Sequence, residues 1–207
     1  MEERFTSEEK KALKCMAHIT AEKASAALSE IVGKPVKLSP AKLKLGSLDK
    51  IPTLMGKHHK LTVAIYRRIS GEMHGNMLFS IPREDTMELL DIVLNLKKGT
   101  TTRITGDEVE ALKSIEAAVS KASAKVLRHV VSPHIITNRA KLVATFGKSL
   151  SDLLLLDITC KSKECITLKS NFKVEGTKIN GEFALLIPVE SLDEILKITK
   201  ISKEKCR

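Results

Sequence analysis

ISGEMHGNMLFSIPREDTMELLDIV, from Ile69 to Val93, and VEGTKINGEFALLIPVESLDEILKI, from Val174 to Ile198, are two spellings of one structural unit. In each, a strand turns back at glycines (Gly71 to Gly75, Gly176 to Gly181), a second strand follows, and a proline (Pro82, Pro188) leads into an amphipathic helix. Gly75 and Gly181 each stand seven residues before that proline. The pattern predicts two antiparallel hairpins, each closed by a short helix that starts just after its proline, where a missing N–H costs nothing.

A second duplication precedes each hairpin. ALKCMAHIT (Ala12–Thr20) returns as ALKSIEAAV (Ala111–Val119). Apolar residues follow at Leu13, Met16, Ala24, Ala27, Leu28 and Ile31 in the first copy, and at Leu112, Ile115, Val119, Ala122, Val126 and Val130 in the second. Steps of three and four put each set on one face of a long helix. Thr6 or Ser7 with following glutamates starts the first helix, and Thr105 with Asp107 and Glu108 starts the second. The first stops at Gly33 and Pro35, the second before Pro133. Further strands are expected at 61–69, 151–161 and 165–174, while 133–146 begins like a turn and ends like a strand.

An amphipathic helix and a hairpin cannot each bury an apolar face alone, so the two copies should pair about a pseudo-twofold axis. The expected fold is α+β: a duplicated helix–strand–strand–helix unit forming an antiparallel sheet with two long helices on its surface. The whole chain, 1–207, reads as a single domain with pseudo-repeats 6–104 and 105–201 and a flexible tail at 202–207.

Composition narrows the function classes. The chain has 207 residues and 43% apolar content, near the globular average, with no apolar run long enough for a membrane span. Its first residues include Glu2, Glu3, Glu8 and Glu9 in place of a basic segment and an apolar run, so a cytoplasmic address is expected. Cys15, Cys160, Cys165 and Cys206 lack the paired spacing of zinc or redox motifs and read as reduced, small apolar fillers. The histidines form no metal-binding pattern, and nothing calls for a metal or cofactor. A net charge of +10 could suit a polyanion. Its texture argues against nucleic acid: lysine far outnumbers arginine, glutamates are interleaved, and one tyrosine and five phenylalanines leave little for base stacking.

These features together resemble the CheC, CheX and FliY group of chemotaxis proteins, over nearly the whole chain. AEKASAALSEIVGKPVKLSP (Ala21–Pro40) is similar to the first CheC repeat, YRRISGEMHGNMLFSIPREDTMELLDIVL (Tyr66–Leu94) to its central hairpin, and FKVEGTKINGEFALLIPVESLDEIL (Phe172–Leu196) to its C-terminal one. The resemblance implies a pseudo-symmetric α+β fold and a role in binding or dephosphorylating the phosphorylated response regulator CheY. It also implies the deamidase CheD as a partner.

In the family the chemistry lies on the two long helices: an Asp or Ser, a Glu four residues on, an Asn three further, and a proline later in the chain. The i, i+4, i+7 spacing sets three side chains on one stripe that another protein can receive. The amide orients water in line with an aspartyl phosphate, whose hydrolysis gains chiefly from positioning and charge stabilisation. Here the matching positions are Lys11, Cys15 and His18, with Pro40 one residue early, and Glu110, Ser114 and Ala117 with no proline in place. Neither stripe carries the Glu and Asn pair. Glu116 adjoins the Asn-equivalent position, but one residue turns about 100° round a helix and aims it elsewhere.

Two readings of different class follow. One is a binding module that docks a CheY-type regulator, CheD or another motility component through Lys11, Cys15, His18, Glu22, Glu110, Ser114 and Ala117 without cleaving phosphate, a pseudo-phosphatase. The other is a CheY-phosphate phosphatase in which His18 replaces the amide and Glu22, one turn on, replaces the acid. A Cys15–His18 nucleophilic pair would need an orienting third group and a lowered thiol pKa, and the sequence supplies neither.

Overall fold

A computed structural model describes residues 5–47, 61–146, 149 and 164–192. Helix α1 (Ser7–Val32) opens with a reciprocal cap: the Glu9 amide donates to the Thr6 hydroxyl at 3.2 Å, and the Thr6 amide donates to the Glu9 carboxylate at 2.7 Å. It ends at Gly33, whose φ of 66° is left-handed and whose amide donates to the Ser29 carbonyl at 2.9 Å. Strands β1 (Val36–Leu38), β2 (Lys42–Ser47), β3 (Leu61–Ser70) and β4 (Gly75–Pro82) follow, then helix α2 (Arg83–Val93) directly after Pro82. Helix α3 (Asp107–Val130) opens the second half and leads into β5 (Ile136–Thr137), β6 (Lys141–Phe146), β7 (Glu164–Val174) and β8 (Asn180–Pro188). Residues 189–192 are helical, as expected after Pro188.

The eight described strands form one antiparallel sheet whose order reads the same from both ends: β1 and β2 pair along the outer edge of β7, β5 and β6 along the outer edge of β3, and the hairpins β7–β8 and β3–β4 meet along β8 and β4. The strand registers identify the symmetry residue by residue. A shift of 106 positions, Pro82 to Pro188 and Gly75 to Gly181, also carries Leu78 onto Ala184. Leu78 and Ala184 face each other in the β4–β8 ladder, so the pseudo-twofold axis passes between them. On the outer strands, Lys42 pairs with Lys169 and Lys141 with Tyr66, and Leu38 pairs with Phe172 and Thr137 with Ile69. Lys42 to Lys141 and Leu38 to Thr137 are both steps of 99, which is also the step from Ala12 to Ala111. Helix and outer strands therefore repeat without insertion.

The long helices pack on one face of the sheet and against each other. Corresponding residues are buried on both: Leu13 and Leu112, Met16 and Ile115, Leu28 and Leu127. Beneath them the core divides into two lobes related by the axis. One holds Phe79, Phe172 and Phe183, with ring centroids 5.0–5.3 Å apart, and draws Leu89 and Leu90 from α2. The symmetry-related places in the other lobe hold Leu185, Ile69 and Met77. Three of the chain's five phenylalanines thus sit on one side of the axis. A smaller cluster of Ala64, Tyr66, Leu78, Cys165, Ala184 and Leu186 lies on the opposite face.

Gly75 and Gly181 do more than permit a turn. A Cβ on Gly75 would stand 2.4 Å from the Leu186 carbonyl oxygen, and one on Gly181 would stand 2.2 Å from Cζ of Phe172. Strand-to-strand approach fixes both glycines.

Strands β1, β2 and β5 were outside the sequence expectation, as was the division of 133–146 into a turn, β5 and β6. These segments are short, and β1 and β2 are lysine-rich and interrupted by Pro40. They become strands by pairing with β7 and β3, not by intrinsic preference. The expected strand at 151–161 and the tail at 202–207 lie outside the described residues.

Candidate functional site

Helical periodicity decides which side chains α1 and α3 offer outward. Leu13, Met16, Ala17 and Thr20 point to the sheet, and this leaves Lys11, His18 and Glu22 exposed with Cys15 half-buried. On α3, Leu112, Ile115, Glu116 and Val119 point inward and leave Glu110, Ser114 and Ala117 exposed. Pro40 is exposed in the link between β1 and β2. The step of 99 maps Lys11, Cys15 and His18 onto Glu110, Ser114 and Ala117, so the two stripes are symmetry mates on adjoining helices.

Their charges are reversed across the axis. Glu110 occupies the place of Lys11, and Lys121 occupies the place of Glu22. Glu110 also binds Lys113 at 2.6 Å, a surface pair with both side chains more than half exposed and hence a small energetic contribution. The central positions hold Cys15 and His18 on one side, Ser114 and Ala117 on the other.

Cys15 corrects the sequence expectation of reduced cysteines. It is disulfide-bonded, and its partner lies outside the described residues. Spacing along a chain says nothing about which thiols meet in space, which explains why the bond was not legible. A sulfur already in a disulfide has no thiolate to attack with, so the Cys15–His18 nucleophilic pair is removed. Cys165 does have the expected character: it is outside any disulfide and fully buried in the sheet. Among the described residues, His18 makes no hydrogen bond that would orient it as a base, and no group of His, Cys, Asp and Glu side chains could hold a metal.

Glu116 points away from the stripe. Its carboxylate accepts from Nε of Arg67 at 2.5 Å, from Nη2 of Arg67 at 3.1 Å and from the Ser120 hydroxyl at 2.6 Å. Nη1 of Arg67 donates to the Asn138 carbonyl at 3.0 Å. The pair ties α3 to β3 under the exposed surface. Arg67 was the available signal, since it alternates with Ile65 and Ile69 on the inward face of a strand, where a charge needs a partner. In the other half the corresponding places hold Ala17 and Ser170, which line a small central cavity of about 40 Å³.

Solved structures of other proteins share this fold over most of the chain. FliY from Thermotoga maritima aligns with a TM-score of 0.74 at 12% identity, covering 94% of this chain and 97% of that one. A chain of the FliG–FliM complex from H. pylori aligns with a TM-score of 0.65 at 14% identity, covering 93% of this chain and 100% of that one. CheX from Desulfovibrio desulfuricans aligns with a TM-score of 0.57 at 14% identity, covering 82% and 98%. The fold is that of the CheC, CheX and FliY group. No protein-family model matches the sequence, and no curated protein matches it. At such identities the fold is shared, while the roles of individual residues have to be argued from this chain. No helix among the described residues is long and apolar enough to cross a membrane.

Proposed function

We propose that the chain is a docking module of a chemotaxis or motility system, which receives a CheY-type response regulator or CheD on α1 and α3 and leaves the regulator's phosphate intact. The observation that carries this reading is the pair of outward-facing stripes: at the positions that the resemblance assigns to hydrolysis, neither stripe has both an acid and an amide. Ala117 can neither orient water nor move a proton, and Cys15 is held in a disulfide. A neighbour of the same fold, FliM, has been crystallised in complex with FliG, so assembly with protein partners suits this architecture. The reversal of Lys11 with Glu110 and of Glu22 with Lys121 gives a partner one favourable orientation where an exactly symmetric face would offer two.

The test is the decay of phosphorylated CheY with and without the protein, together with its binding by calorimetry. Unchanged decay with saturable binding, weakened by Lys11→Glu, is the expected result. The second reading, a phosphatase built on His18 with Glu22, is favoured by the exposure of both side chains one turn apart. Accelerated decay that disappears in His18→Ala would establish it and overturn the docking reading.

A further inference from the structure

On the face of the sheet away from the long helices, β2 and β7 gather cations. Their register sets Lys42 opposite Lys169 and Lys44 opposite Thr167, with Asn171 two residues further along the same face. Like charges directly opposite in a ladder repel, and nothing in the packing of an edge strand requires them. Lys169 reaches Glu182 at 3.3 Å, whereas Lys42 and Lys44 have no acid within ion-pair distance among the described residues. These five side chains line a cavity of about 110 Å³. Thr167 in its floor is 1% exposed, and its hydroxyl has no hydrogen-bond partner. A buried donor is rarely left unmade, and an orphan hydroxyl beneath lysines is what a site for an anionic oxygen looks like when empty.

We infer that this cavity binds a small phosphate dianion, free or as the terminal group of a phosphorylated metabolite, with the Thr167 hydroxyl and the Lys44 and Lys42 ammonium groups as its donors. The charge count favours a dianion. Glu182 offsets Lys169, which leaves two positive charges to be matched by a group that carries close to two negative ones near neutral pH. The cavity has room for a tetrahedral oxyanion and some of its water, since each water occupies about 30 Å³ of liquid. The site is confined to one half: the places related by symmetry to Lys44, Thr167 and Lys169 hold Val143, Ala64 and Tyr66, with the Lys141 ammonium over the Tyr66 ring. It is also separate from the helical stripes, on the other side of the sheet, so it stands whether or not the docking reading holds.

The test titrates the isotopically labelled full chain in chloride buffer with inorganic phosphate, glycerol 3-phosphate and acetate, following amide signals by NMR. Saturable shifts centred on 42–44 and 167–171 with phosphate or its monoester, and not with acetate, are expected. Thr167→Val and Lys44→Ala should each weaken binding about tenfold, the loss of one charge-assisted hydrogen bond, while Lys113→Ala on α3 leaves it unchanged. Thr167→Val should also raise the melting temperature of the unliganded protein, because it removes the unpaired hydroxyl, and this shows that the variant is folded. Tighter binding of the monoester identifies a metabolite, and equal or weaker binding identifies free phosphate. Shifts that never saturate, or equal affinity in the wild type and both site variants, would mean only a diffuse ion atmosphere and would overturn the site.

Discussion

Removing the Glu116 carboxylate measures how far the candidate surface depends on what lies beneath it. The Glu116 and Arg67 side chains are 10% and 21% exposed, and the carboxylate takes two hydrogen bonds from the guanidinium and one from Ser120. Breaking a fully buried pair costs about 3–5 kcal/mol, because a charge is left without compensation. Here Arg67 keeps some solvent and its bond to the Asn138 carbonyl, which brings Glu116→Ala down to about 2–3 kcal/mol. For a chain of this length that is a fall of roughly 5–10 °C in melting temperature. Arg67→Ser should cost about as much, since it strands the carboxylate. The double variant reproduces the Ala17 and Ser170 combination that the other half already accommodates. It should therefore cost about 2 kcal/mol, chiefly lost packing, and the two single effects should overshoot the double by about 2–4 kcal/mol. Urea denaturation of the four proteins followed by circular dichroism gives the cycle. Additive single effects, or a Glu116→Ala cost below about 0.5 kcal/mol, would refute the assignment of Glu116 as the tie between α3 and β3.

Gly181→Ala would place a methyl group 2.7 Å from the Ser80 carbonyl oxygen and nearer still to the Phe172 ring, so the aromatic lobe must shift. A loss of about 2–3 kcal/mol is expected by denaturation, against roughly 1 kcal/mol or less for Gly33→Ala, whose Cβ meets nothing and suffers only from its φ. Asp91 gives a pH signature. Burial alone would raise its pKa, but the Thr101 hydroxyl, which approaches without completing a hydrogen bond, and the amides of Thr101, Gly99 and Thr100 together hold it below the ordinary carboxylate value. A carboxyl lowered on folding contributes stability that is fully present above its unfolded pKa of about 3.9 and is lost as pH falls through the folded value. Asp91→Asn should thus reduce stability near neutrality and flatten the acid limb of the stability profile; an unchanged acid limb would remove Asp91 from that role.

The parts of the fold that were legible are those in which a periodicity or a forced residue type leaves a mark. Helical spacing located α1 and α3, and Thr6 or Ser7 with the glutamates that follow marked the first cap, which the structure places at Thr6. The glycine and proline spacing located both hairpins, although the reason for Gly75 and Gly181, a neighbouring strand at contact distance, appeared only with the registers. Strands β1, β2 and β5 left no mark because edge strands take their conformation from the strand they join. Which residues the stripes expose could be read from the same spacing. The disulfide at Cys15, the Arg67–Glu116 tie and the unpaired hydroxyl of Thr167 could not, since each depends on residues brought together from distant parts of the chain.

The departures from symmetry are concentrated in chemistry and not in backbone. Registers repeat without a slip across both hairpins and all outer strands, so the scaffold has remained twofold. Against that constant frame, aromatic rings fill one core lobe and aliphatic side chains the other, an ion pair replaces Ala17 and Ser170, and Lys11 and Glu22 exchange sign with Glu110 and Lys121. The interior differences do not conserve volume: Ala17 and Ser170 leave a small cavity where the other half holds Glu116 and Arg67, and the fold accommodates it. The surface differences meet no such demand, because exposed side chains seldom contribute more than a fraction of a kcal/mol to stability. What they change is the field a partner meets. On the docking reading, opposite charges at corresponding places on the helix pair favour one orientation of a partner, and the cavity lined by Lys42, Lys44 and Lys169 behind the sheet, proposed above as an anion site, has no symmetry mate in the other half.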